Sequence, residues 1–156
     1  MREEFIFYFG EESIFSHWYK CDFRISGQMY NCVGQYMMYR KALLFGDDQI
    51  AKKIMNSTSP SRHRMLGKQV AGFEKKLWHE HCRQYSFEGN LAKFSQNPLL
   101  KEKLLLAAGS FAEASSYDRI WGVGLSLSNP KIHDRSNWRG KNCAGESLDA
   151  VRKQLR

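Results

Sequence analysis

No apolar run in this chain approaches the roughly 20 residues that a membrane-spanning helix needs. The opening Met1-Arg2-Glu3-Glu4 leads straight into Phe5-Ile6-Phe7-Tyr8-Phe9, too short and too acidic at its start for a secretory signal. An intracellular protein is expected, cytoplasmic or nuclear, with no membrane among its partners. Cysteine is sparse, at positions 21, 32, 82 and 143, with no C-x-x-C pair. His79 and His81 flank Glu80, and Cys82 follows, but on a helix these four point in different directions. Free thiols are expected, with no zinc and no other cofactor. Repeats, linkers and long runs of one charge are also missing, which leaves a single domain over residues 1–156.

What is present is a core-forming composition. Hydrophobic residues make up 42% of 156, enough for a real core and too many for a disordered chain. The net charge of +8 suits an anionic partner, a phosphate-bearing ligand or nucleic acid. Because the basic residues are scattered, a solvated surface explains the charge equally well.

The elements read as mainly helical with a small N-terminal β part. Residues 5–9 are a short strand ended by Gly10, and 19–30 a hairpin turning at Ser26-Gly27. Apolar positions at helical spacing run from Val33 to Phe45, with Gly46 as the stop. Asp47 or Asp48 caps a helix to about Met55, and another follows Pro60 to near Gly67. A longer helix covers about 73–94, with Gly89 as a candidate break. Asn97-Pro98 starts the next. Residues 110–141 read as irregular, with one short strand near Phe111. The last helix follows Gly140-Lys141-Asn142 and carries Leu148, Val151 and Leu155.

Four places can carry chemistry. In Asp118-Arg119-Ile120-Trp121-Gly122-Val123-Gly124, Asp118 can move protons and Trp121 can face a base or sugar. Gly122 and Gly124 let a ligand approach the backbone. The plain alternative is a tight turn over a packed Trp. Phe15-Ser16-His17-Trp18 sets polar groups between aromatics, as a site or as a loop anchored by buried rings. Arg139, Lys141 and Asn142 stand just before a helix, where charge and helix dipole suit an anion, or form an ordinary basic turn. Lys41 lies among Tyr36-Met37-Met38 and Ala42-Leu43-Leu44. It either snorkels to water or sits desolvated, with a lowered pKa that makes it a nucleophile toward a carbonyl.

These residues occur in an order that resembles the NADAR family, also called YbiA-like. The similarity includes Phe7-Tyr8-Phe9, Phe15-Ser16, and Gln35-Tyr36-Met37-Met38-Tyr39-Arg40-Lys41-Ala42. It continues through Leu66-Gly67, Trp78, Lys93-Phe94-Ser95-Gln96-Asn97 and Glu113. Asp118 to Gly124 looks like the family's D-x-x-W-G-x-G. Gly140-Lys141-Asn142 with Gly145 looks like its G-K-N-x-x-G, and Arg152 fits the final helix. The resemblance implies a mainly α fold and N-glycosidase activity on a ribosyl C1–N bond. It also implies that Lys41 holds the sugar as a Schiff base. Two substrate classes are linked to the family: ADP-ribosylated guanine in nucleic acid, and phosphorylated ribosylamino-pyrimidine intermediates of riboflavin synthesis. Within this picture Trp121 stacks on base or ribose, Asp118 moves protons, and Lys141, Asn142 and Arg24 hold phosphate.

One position departs from the family. Gly34 stands where the family has Glu, directly before Gln35-Tyr36. Seven residues on a helix return to nearly the same face, roughly 10 Å along the axis, so a carboxylate at 34 would project toward Lys41. Position 34 is therefore counted with the catalytic set. Its glycine points to an impaired or inactive enzyme, to a module that binds ADP-ribose or nucleic acid without turnover, or to another acid doing the work. Glu at 34 is expected to restore a proton-transfer group and to strengthen the helix, since glycine in a helix interior costs about 1 kcal/mol.

Overall fold

The computed structural model describes residues 2–156. Strand β1 is Phe5–Tyr8, and a hairpin follows of β2 (Phe23–Ile25) and β3 (Gln28–Tyr30). Helices come next: α1 (Val33–Leu44), α2 (Asp48–Met55), α3 (Pro60–Lys68), α4 (Lys75–Gln96) and α5 (Pro98–Leu106). Strand β4 (Ser110–Glu113), two 3-10 turns (Pro130–His133 and Arg135–Asn137) and α6 (Cys143–Leu155) complete the chain. The architecture is mainly α, as the sequence reads, with few strands.

Local chemistry explains most boundaries. The hairpin turns at Ser26 and Gly27, both at positive φ (52° and 79°), the pair of dihedrals a tight two-residue hairpin needs. The Asp47 carboxylate caps α2 by accepting from Ile50 N. Pro60 and Pro98 open their helices, where a missing N–H costs nothing. Asn97 precedes α5, but its side chain donates to Asp22 O and Lys93 O and does not cap the helix.

Helix α1 sits at the centre, against α2 and α3 on one side and α4 on the other. Helix α4 runs unbroken through Gly89, so no break occurs there. A Cβ at 89 would lie 2.7 Å from Val33 Cγ1 and 3.3 Å from Tyr36 Cδ2, so the glycine permits close approach of α1 and α4. Phe23, Tyr30, Val33, Tyr36, Met37, Trp78, Cys82 and Tyr85 fill that seam. A second core forms where α4 and α6 meet β4, around Phe94, Leu104, Phe111, Leu148 and Val151.

The β part is more than an N-terminal device. Strand β1 pairs in parallel with β4, Phe5 opposite Ser110 and Tyr8 opposite Glu113. A parallel partner requires a long crossover, here nearly the whole helical layer. Asn142 locks β4 from the other edge. It holds a left-handed conformation (φ 54°), its Nδ2 donates to Phe111 O at 2.9 Å, and its Oδ1 accepts from Glu113 N at 3.0 Å. Arg152 donates to Ala107 O and Gly109 O and pins the entry to β4. No helix among the described residues is long and apolar enough to cross a membrane. All four cysteines are free thiols.

Asn142→Ala leaves two strand groups unsatisfied, each worth about 1–3 kcal/mol when buried, and puts alanine in the left-handed region, which it tolerates less well than asparagine does. Urea unfolding should show a loss of at least ~2 kcal/mol, with Asn142→Gly in between because it relieves only the φ strain. An unchanged urea midpoint for Asn142→Ala would show that β4 does not depend on this clamp.

Candidate active site

A cavity of about 320 Å³ opens between α1, α3, the start of α4 and the segment that follows β4. Lys41, Arg64, Lys68, Trp78, Glu113, Asp118 and Trp121 line it, with His17, Trp18 and Tyr117. A larger, more open groove of about 570 Å³ lies beside the hairpin, lined by Lys20, Asp22, Asn31 and Thr58 among others. The chemistry concentrates in the smaller cavity, where a half-buried lysine, Lys41, meets Asp118 and the largely buried Glu113.

Lys41 is half-buried near the end of α1. Its Nζ lies 4.6 Å from the Phe73 ring centroid and 5.4 Å from that of Trp78. No carboxylate pairs with it among the described residues. Burial lowers its pKa, which raises the share of neutral, nucleophilic amine.

Glu113 ends β4 and faces the same cavity. Its Oε2 is buried and makes no hydrogen bond. Burial pushes its pKa from 4.5 up to about 7, the charge of Asp118 adds to the rise, and Arg64 opposes it. Such a carboxyl exchanges protons near neutrality, as a general acid–base group requires. Asp118 itself builds the turn: its Oδ1 accepts from Ile120 N at 3.0 Å and Trp121 N at 2.9 Å.

Trp121 forms one wall, with the His17 ring edge-on to it at 5.2 Å. His17 is buried, and its Nε2 lies 2.8 Å from Ser86 Oγ. Burial, then the Lys93 and Arg64 charges, depress its pKa to about 3, so it is neutral. Lys93 is fully buried and straps the 14–17 loop by donating to Ile14 O and Ser16 O. Burial lowers its pKa to about 8.

The cavity thus gathers Lys41, Asp118 and Trp121 from the sequence-derived set. Others stand elsewhere. Phe15 packs among Tyr8, Phe94 and Phe111. Ser16 is buried, and its Oγ accepts from Trp18 N. Arg24 lies exposed on β2, its N–H bonded to Gln96. Gly122 is buried beneath the turn, where a Cβ would lie 2.9 Å from Asp118 O and from Ser115 Cβ. Arg139 and Lys141 are exposed and do not line the cavity, and Asn142 is the β4 clamp. The start of α6 is not an open anion site. Cys143 N and Ala144 N already bond to Ile120 O and Trp121 O, at 3.0 and 3.1 Å.

Gly34 also differs from expectation. It is the second residue of α1, not an interior one, and it is buried under the Trp18 ring, outside the cavity lining. A Cβ there would run into the ring edge. Glu at 34 could therefore not be added without displacing Trp18.

Sequence reasoning singled out the Phe15–Trp18 segment, whose His17 and Trp18 line the cavity, but passed over Arg64, Lys68 and the proton affinity of Glu113. The i, i+4 spacing of Arg64 and Lys68 was a usable sign of a shared basic face. No group of three or more His, Cys, Asp or Glu among the described residues is placed to hold a metal ion.

A family model described as the NADAR domain matches residues 6–156, and the chain belongs to that family. It is 35% identical over 164 residues to N-glycosidase R617 of Acanthamoeba polyphaga mimivirus, covering 97% of this chain and 96% of that protein. It is 40% identical over 129 residues to Protein irg-1 of Caenorhabditis elegans, covering 81% of this chain and 61% of that relative's length. The NMR structure of the E. coli protein YbiA shares the fold, with a TM-score of 0.79 at 23% identity, over 99% of this chain and 86% of that one.

The Glu113 assignment can be tested without any substrate. The unfolded chain ionises this carboxyl near 4.5 and the folded chain near 7. The folded state should lose stability as pH rises between those values, by up to about 3 kcal/mol, and show no further loss from this group above them. Glu113→Gln should remove that slope in chemical denaturation between pH 4.5 and 7.5. A slope that persists in the variant would assign it to another group.

Proposed function

We propose that this NADAR chain is an N-glycosidase that hydrolyses the ribosyl C1–N bond of ADP-ribosylated guanine, carried on a nucleotide or nucleic acid. The observation that carries the reading is the pairing, in one cavity, of Lys41 with a lowered pKa and Glu113 with a raised one. The naming of R617 as an N-glycosidase supports the reaction class.

The chemistry balances on these two groups. In the ring-opened form of the glycosylamine, C1 is double-bonded to the guanine nitrogen. Neutral Lys41 adds to C1, the guanine nitrogen takes one proton from the Lys41 ammonium so formed and a second from Glu113, and the amine departs as the C1–N bond breaks, leaving a protonated imine. The sugar is left as an imine on Lys41. Water then adds to C1 with Glu113 as base, and collapse returns free lysine and the sugar aldehyde, which recloses. The net change is one water consumed and one C–N bond cleaved.

The surroundings fit this substrate. Trp121 and Trp78 offer flat walls for guanine or ribose. Arg64 and Lys68 supply positive charge for the phosphates, the role expected of Arg139 and Lys141, which stand outside the cavity. With Glu113 moving protons, glycine at 34 leaves the enzyme one carboxylate short on α1, and turnover should be slow but measurable.

Lys41→Ala and Lys41→Arg should both abolish release of guanine, since neither forms an imine under these conditions. Borohydride added during turnover should fix the sugar to the wild-type protein and to neither variant, as read by mass spectrometry. Glu113→Gln should slow turnover by about 10²–10⁴-fold, the usual worth of a proton-transfer group. Substantial activity in Lys41→Arg would end the imine mechanism. Faster release from a phosphorylated ribosylamino-pyrimidine than from ADP-ribosylguanine would reassign the substrate. No turnover of either, with ADP-ribose still bound, would make the chain a binding module.

A further inference from the structure

We propose that Trp18 is a positioning residue for Arg64, seated in a slot that only glycine at position 34 leaves open. The inference rests on the reading of this cavity as one that takes a phosphate-bearing ligand.

Trp18 is fixed by its own segment and by α1. Its main-chain N–H donates to Ser16 Oγ at 3.1 Å. The carbonyl just before it, His17 O, accepts from Gly34 N at 2.7 Å, which ties the segment to the first turn of α1. The ring itself lies over Gly34. A Cβ built there would run into Cε3 and Cζ3 and stand 2.7 Å from Cη2. The obstacle is a rigid ring whose backbone is bonded on both sides, not the far end of a flexible side chain. Even alanine at 34 has to push it out.

Arg64 rests on the same ring, its guanidinium carbon 4.6 Å from the centroid. It comes from the neighbouring helix α3, is exposed, and pairs with no carboxylate among the described residues. A free arginine surrenders much rotamer freedom when it grips an anion. One already laid on a fixed aromatic face surrenders less. Both Trp18 and Arg64 line the cavity that holds Lys41. The stack therefore presents a pre-arranged cation, with its fork of donors, to an anionic part of the ligand. A side chain at 34 and this stack exclude each other. The volume beside the Gly34 Cα goes to a platform for a cation.

Inorganic pyrophosphate is the probe, titrated calorimetrically into the wild-type chain and into Arg64→Ala, Trp18→Leu, Trp18→Phe, Gly34→Ala and the double variant Gly34→Ala/Arg64→Ala. Thermal melts check that each is folded. Arg64→Ala should weaken binding roughly tenfold, the scale of one charge-assisted hydrogen bond. Trp18→Leu and Gly34→Ala should each weaken it severalfold, although Arg64 is intact in both. Trp18→Phe keeps a ring and should recover most of the loss. The double variant should bind no more weakly than Arg64→Ala alone, because the glycine acts only through the arginine. Should Gly34→Ala fail to fold, the contrast between Trp18→Leu and Trp18→Phe carries the test. Wild-type affinity in Gly34→Ala, additive losses in the double variant, or no saturable pyrophosphate binding to the wild type would each overturn the proposal. Turnover of ADP-ribosylguanine by the same proteins separates the two ideas. No turnover with the pyrophosphate pattern intact sinks the glycosidase reading and leaves the stack standing. Normal turnover with affinity unmoved by Gly34→Ala does the reverse.

Discussion

The junction between the 119–122 turn and the start of α6 is the constraint on which the pocket depends. Lys141 N, Asn142 N, Cys143 N and Ala144 N donate to the carbonyls of Arg119, Gly122, Ile120 and Trp121, at 2.9 to 3.1 Å. A helix start normally leaves its first amides to water, a capping side chain or a ligand. Here a neighbouring turn takes them. The turn is rigid in consequence, so Trp121 keeps its place as a wall and the Asp118 carboxylate stays folded onto Ile120 N and Trp121 N. The same junction holds Asn142 in its left-handed conformation, and Asn142 in turn fixes β4 and the backbone of Glu113. One set of backbone hydrogen bonds therefore places both the aromatic wall and the titrating carboxyl.

Burial then does the chemical work, acting in opposite directions on opposite charges. Lys41 has no carboxylate beside it, so removing water favours the neutral amine. Glu113 has Asp118 nearby and an Oε2 with no donor, so removing water favours the neutral acid. An ion pair between the two would have locked both in charged forms and left neither free to react. Arg64 limits the effect at Glu113 by supplying positive charge. It rests on the Trp18 ring, against the α1 side of the cavity.

How much of this was legible in the sequence follows from which signals are local. The helices read well because apolar spacing and the caps at Asp47, Pro60 and Pro98 are written within a few residues. Lys41 stood out as a charge inside an apolar helix, and Trp121 as an aromatic in a glycine turn. The pairing of β1 with β4 was not readable, since its partners are about 100 residues apart and each strand has only four. The same distance hid the fate of the α6 amides. Lys141 and Asn142 look like an anion site until the turn carbonyls that use those amides are in view. Gly89 looked like a helix break because its use, close contact with Val33 and Tyr36, lies on another helix. Glu113 was visible as a motif residue, but its proton affinity comes from burial and from Asp118, which only the fold brings together.

Gly34 is held by its neighbours on the preceding loop. A glycine deep in a helix costs about 1 kcal/mol against alanine. That figure belongs to a helix interior, and Gly34 is the second residue of α1. Gly34 N bonds His17 O, and the space beside its Cα is filled by Trp18. Simple loss of a carboxylate would leave a gap against α1, with the contacts of a side chain forfeited. No such gap exists, because the residue that fills it is the one that carries Arg64. The glycine is thus matched to its neighbours on the loop and on α3. The physical consequence is local: the space beside the start of α1 holds an aromatic ring, and that ring carries the Arg64 guanidinium.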